Sequence, residues 1–179
     1  MQILAQSWLV YSLSKSSGYL GLYAFFGQIP IFLFSLFGGV FADRKNRRNI
    51  LLASQMVQLT CAFVLATLVA THVVQVWHIW CLSFTVGLAQ SFGGPAYSAL
   101  IPTLVKKEDL QNAIALNSIQ FNLARVVGPA LGGLALVKLG AFWCFTLNGI
   151  SYLAVIATLL AIRPTFVPAA TQMPIIQSM

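Results

Sequence analysis

The sequence predicts an all-α membrane protein, a bundle of six spanning helices of which the first is incomplete. Three observations carry that expectation. Hydrophobic residues make up 59% of the 179 and charged residues only 7%. Soluble domains carry about 25% charged residues, so a chain of this composition would present an apolar face to water far larger than such folds expose. The apolar residues fall in runs close to the ~20 residues that a spanning helix needs. The charges gather in the short breaks between those runs. One break, Asp43-Arg44-Lys45-Asn46-Arg47-Arg48, holds four of the ten basic residues and one of the three acids.

Taken in order, the first run (residues 1–13) is too short to cross a bilayer, is interrupted by Gln2 and Gln6, and reads as the second half of a helix whose first half is missing. Ser14 to Gly18 makes a polar turn, and a second span follows over 19–42, its Pro30 tolerated because neighbouring helices satisfy the freed carbonyl. The charged break comes next, then a third span over 50–71 and a fourth over 76–99, with Gly93-Gly94-Pro95 expected to bend or break it. Pro102 to Leu110 is a second polar loop, in which Glu108 and Asp109 suit the positive N-terminal end of the following helix. The fifth span covers 111–137 and the sixth 141–162, separated by a tight turn at Lys138-Leu139-Gly140 and ended by Arg163-Pro164. Residues 1–163 thus form one helical bundle, and 164–179, with Pro168 and Pro174, reads as the start of a central linker, cut short.

Alternating the loops puts Arg44, Lys45, Arg47, Arg48, Lys106, Lys107 and Arg163 on one side and Lys15 and Lys138 on the other, so the charged break is cytoplasmic. Trp8, Trp77, Trp80 and Trp143 fall towards the opposite ends of the spans, as an aromatic belt would. The net charge of +7 needs no nucleic-acid partner, because the basic residues sit between apolar runs and not along one face. Cys61, Cys81 and Cys144 lie singly inside apolar runs and read as small hydrophobes; His72 and His78 are interfacial, without the spacing of a metal pair. No catalytic residue, metal site or cofactor is expected, since there is no nucleophile–base pair and no phosphate-cradling glycine loop.

Two constellations can carry function. In the charged break, Gly39 is placed to let two helices approach closely, Asp43 to pair with a helix N-terminus or an arginine, and Asn46 to take a left-handed turn. The alternative is a loop that only sets topology. In the fifth span, Arg125 carries a charge into mid-membrane at a cost of about 2.5–3.5 kcal/mol on insertion scales. At 100° per residue it shares a face with Ser118, Phe121, Gly128 and Gly132, polar and small enough to line a cavity or pack closely. Further polar residues in the spans are Gln6, Gln28, Gln90, Asn117, Gln120, Asn122 and Asn148, of which Gln28, Gln90 and Asn117 are the candidates for touching a substrate.

Gly39-x-x-x-Asp43-Arg44-x-Asn46-Arg47-Arg48 resembles the signature loop between the second and third helices of the major facilitator superfamily, with Asn46 where that pattern has Gly and Asn49 where it has a basic residue. The resemblance implies that Gly39, Asp43, Arg44, Arg47 and Arg48 latch the cytoplasmic side against a C-terminal six-helix half that this chain does not contain. Arg125, Gly128, Pro129, Gly132 and Gly133 resemble the fifth-helix Gly-Pro-x-x-Gly motif of facilitator-type antiporters. From Gly94 to Gly133 the chain is most similar to the enterobactin-exporter-like branch, the transmembrane secretion effectors. That implies half of a proton-motive-force-driven exporter of small amphipathic molecules, siderophores or drugs, working by alternating access in the bacterial inner membrane. Its partners would be the lipid bilayer and a small-molecule substrate. The reading from another class is a non-transporting six-helix scaffold or assembly subunit, or the product of a truncated gene.

Overall fold

Where lipid surrounds a chain, no backbone N–H or C=O can be left unpaired, so apolar runs fold as helices throughout. The computed structural model describes residues 2–161, the side chains of Asp43 and Arg44 excepted. The Arg163-Pro164 stop and the expected linker 164–179 lie outside the described residues. The helices are α1 (Gln2–Ser14), α2 (Ser17–Arg44), α3 (Arg47–Ala70), α4 (Val76–Leu104) and α5 (Leu110–Ala161), with one 3-10 turn, Lys107–Asp109, leading into α5. Among the described residues there is no strand.

Short turns set the boundaries. Lys15 and His72 take left-handed backbone angles, with φ of 52° and 58°, and reverse the chain after α1 and α3. Gly140, with φ 83° and ψ 173°, breaks α5 into arms 110–139 and 141–161 at the expected turn. Among the described residues, three segments are long and apolar enough to cross a membrane: Ser17–Ala42, Arg47–Ala70 and Lys107–Ala161, the last containing both arms. α4 is packed against both α2 and α3, which barely touch each other.

Two expectations about helices are corrected. The fourth span does not end at Ala99, nor is it broken at Gly93-Gly94-Pro95: α4 continues through Pro95 and Pro102 to Leu104. Side chains satisfy carbonyls near its end, Arg47 Nη1 donating to Ala99 O at 3.0 Å and Thr103 Oγ1 to Leu100 O at 2.6 Å. Asn46 is not left-handed. At φ −63° and ψ 109° it is the N-cap of α3, its side chain accepting from the Arg48 N–H at 3.1 Å.

Two buried clusters mark the ends of the bundle. One joins Leu9 and Val10 of α1 to Leu65 of α3, Ile79 of α4 and Phe145 of α5. The other joins Ala42, Leu51, Ala96, Leu100 and Leu159 beneath the charged break. Arm 141–161 runs antiparallel to α3, with Phe145 near Leu65, Tyr152 bonded to Gln58 and the Leu159 carbonyl bonded to Arg48. Arm 110–139 crosses from Asn117, bonded to Tyr97, to Ala135 and Leu136 against the first cluster, and most of its length is exposed.

Candidate functional site

Amides scattered singly through five apolar helices meet at one place. A cavity of about 580 Å³ opens between the helices, lined by Gln6 of α1, Tyr23 and Gln28 of α2, Gln58 of α3, Gln90 of α4 and Tyr152 of α5, among others. Its lining includes no ionisable acid or base stronger than tyrosine. Gln58 is buried and fully engaged: Nε2 donates to Ser54 Oγ at 3.1 Å and to Gln90 Oε1 at 3.3 Å, and Oε1 accepts from Tyr152 Oη at 3.1 Å. Tyr23 Oη donates to Gln6 Oε1 at 3.0 Å, and Asn148 Nδ2 donates to Gln2 Oε1. These bonds tie α2 to α1, α1 to α5, and α3 to α4 and α5 around the space. Gln28 and the Ser83 hydroxyl also line it, Gln28 exposed and Ser83 Oγ buried without a partner among the described residues. Such a wall offers neutral donors and acceptors, two per free amide, over an otherwise apolar surface.

Of the three residues expected to touch substrate, the structure brings Gln28 and Gln90 to this cavity. Asn117 is elsewhere, its Oδ1 accepting from Tyr97 Oη at 2.8 Å. Gln58, Tyr23, Tyr152 and Ser83 were missed by sequence reasoning. For Gln58 the signal was present, an amide four residues after Ser54 inside an apolar span.

The charged break is built differently from the expectation. Close approach is made at Gly38 and not at Gly39: a Cβ on Gly38 would overlap the Ser91 carbonyl, whereas one on Gly39 would meet open space. Pro95 explains which carbonyl is available, because it cannot supply the N–H that Ser91 O would otherwise accept. Arg48 Nε and Nη2 donate to the carbonyls of Leu159 and Leu160 at 2.6 and 2.8 Å, satisfying the C-terminal end of α5 where a cation also suits the helix dipole. Arg47 is likewise engaged, on Ala99. The side chains of Asp43 and Arg44 lie outside the described residues.

In the fifth-span motif, Gly132 is buried, while Arg125 is exposed and makes no hydrogen bond or ion pair among the described residues. Gly128 and Gly133 have open space where a Cβ would stand. Pro129 lies inside α5. Arg125 does not line the cavity.

The family model for transmembrane secretion effectors matches residues 1–175. The chain belongs to that family. It is an integral, multi-pass membrane protein of the major facilitator superfamily, and its curated relatives are transporters. It is 26% identical over 147 residues to the staphyloferrin A transporter of Staphylococcus aureus, covering 82% of this chain and 37% of the relative. It is 30% identical over 120 residues to the enterobactin exporter EntS of Salmonella choleraesuis, covering 65% and 28%. To macrolide efflux protein A of Streptococcus pyogenes it is 25% identical over 130 residues, covering 70% and 32%. The chain therefore spans about a third of the length of these relatives. No solved structure matches it.

Proposed function

We propose that this secretion-effector chain is the N-terminal six-span half of a secondary exporter of small amphipathic molecules, siderophores or drugs. Residues 2–161 form the half-bundle, and a C-terminal six-helix half completes the path. The exporter works by alternating access, driven by the proton-motive force, in the bacterial cytoplasmic membrane. The observation that carries the reading is the amide-lined cavity, which is neutral, partly apolar and presents the exposed Gln28 on its wall. Relatives named for siderophore and macrolide movement suit that chemistry. In this reading Arg125, stranded on an exposed helix face, meets the second half, as a costly intramembrane charge should. Asp43, Arg44, Arg47 and Arg48 act at the same junction as the cytoplasmic latch, with Gly39 beside them.

The test is expression of this chain together with a C-terminal six-helix half, as one complete exporter, in cells stripped of their own siderophore and drug exporters. Protonophore-sensitive lowering of intracellular siderophore or dye is expected. Membrane-inserted protein without any effect on accumulation would favour the scaffold reading. The isolated chain should not transport in proteoliposomes. Robust efflux by it alone, abolished by Arg125→Ala, would overturn the half-transporter assignment.

A further inference from the structure

Because α4 separates α2 from α3, a groove of about 790 Å³ runs between their outer faces at the basic end of the bundle. Its mouth is polar and its floor is not. Lys45, Asn46 and Asn49 stand at the mouth, and Phe41, Ala53, Val57 and Phe92 line the depth. Lys45 and Asn49 make no side-chain hydrogen bond or ion pair among the described residues, and the Asn46 amide uses only its oxygen, on the Arg48 N–H. Three sets of donors are therefore unpaired among the described residues, beside the positive N-terminal end of α3. No acidic residue lines the groove among those described.

The depth is informative as well. From Asn46 to Val57 the α3 wall extends ~16 Å at 1.5 Å per residue, about half of a ~30 Å hydrocarbon core. A free phosphate ion would use the mouth and leave the apolar floor in contact with nothing. A ligand with an anionic head and one leaflet's length of acyl chain would use both. We propose that this groove is a binding site for an anionic phospholipid of the leaflet at the basic end, its phosphate held by Lys45, Asn46 and Asn49 and an acyl chain lying along Ala53 and Val57. This goes beyond the transport reading and does not depend on it.

The test is lipid retention by the purified chain in detergent, measured by native mass spectrometry with phosphatidylglycerol or phosphatidylcholine of equal chain length. Phosphatidylglycerol should be retained about fivefold better, the scale of one lysine near an anionic surface. Lys45→Gln should bring the ratio close to unity, and Lys15→Gln, at the other end, should leave it unchanged. Ala53→Trp, which fills an exposed part of the groove, should lower retention of the lipid itself; Lys45→Gln disturbs no packed atom and serves if that variant does not fold. Inorganic phosphate should not displace the lipid. Equal retention of the two lipids, a preference that survives Lys45→Gln, retention undiminished in folded Ala53→Trp, or displacement by phosphate alone would each overturn the proposal.

Discussion

Gly38 of α2 lies against the carbonyl of Ser91 in α4, the carbonyl that Pro95 deprives of its helical donor. One residue's missing side chain thus accommodates another residue's missing hydrogen bond, and the two helices approach backbone to backbone. Small residues allow such contacts in membranes, where packing replaces the hydrophobic drive between helices. Gly87 makes a similarly close approach further along, against the backbone of Gly27 and the ring of Pro30.

The neighbouring glycines should respond oppositely to substitution. Gly38→Ala forces α2 away from a backbone atom that cannot swing aside, and overpacking of this kind costs about 1–3 kcal/mol. Gly39→Ala meets open space and should leave stability unchanged or slightly raised. Thermal unfolding in detergent, followed by circular dichroism, should place Gly38→Ala well below the parent and Gly39→Ala level with it.

Arg48 should prove structural in this half-bundle whatever its role in a complete transporter. Its guanidinium spans Leu159 and Leu160, and charge-assisted bonds to carbonyls contribute about 1.5–3 kcal/mol each in soluble proteins but about 0.6 kcal/mol on average in membranes. Arg48→Ala should lower stability by about 1–2 kcal/mol on that basis. Arg48→Lys should recover only part, since an ammonium lacks the fork that reaches both carbonyls. Proteolysis of the end of α5 should rise in parallel with the loss.

Gln58 and Gln28 line one cavity but should separate stability from ligand contact. Gln58→Leu removes the cross-helix bonds to Gln90 and Tyr152 and should cost about 1–2 kcal/mol, at ~0.6 kcal/mol per cross-helix bond. Gln28→Ala breaks no bond made among the described residues, so the melting temperature should not move. If the transport reading holds, Gln28→Ala should nonetheless weaken substrate binding in the complete protein, measured as a raised KM for efflux.

At Gly140 the demand is conformational. Its φ of 83° with ψ of 173° is a region in which a side chain costs about 1–3 kcal/mol, although no neighbour would touch a Cβ there. Gly140→Ala should therefore destabilise by backbone strain alone. A spin-label distance between residues 120 and 150 should broaden if the two arms lose their fixed relation.

Helix positions and the basic end were legible in the sequence because they follow from local quantities. Apolar run length places α2, α3 and the arms of α5, and the clustering of Arg44 to Arg48 marks one end of the bundle. Boundaries at proline were not legible. Pro102 reads as a helix stop in water, yet α4 continues past it to Leu104, with Arg47, distant in sequence, donating to the nearby Ala99 carbonyl. Asn46 is ambiguous in the same way, fit both for a left-handed turn and for an N-cap, and only the start of α3 decides between them.

The candidate site divides along the same line. By itself the sequence determined that this is a multi-span helical membrane chain, where its charges lie, and that amides are sown through its spans. Tertiary structure alone decided which amides meet: Gln28, Gln58 and Gln90 at one cavity, with Asn117 turned to Tyr97 instead. It also decided that Gly38, and not Gly39, carries the close contact. The physical reason is that periodicity places a residue on a face, but the partner of that face is set by helices distant in sequence. In lipid, where all outer faces are equally apolar, no local pattern says which polar residue will find another.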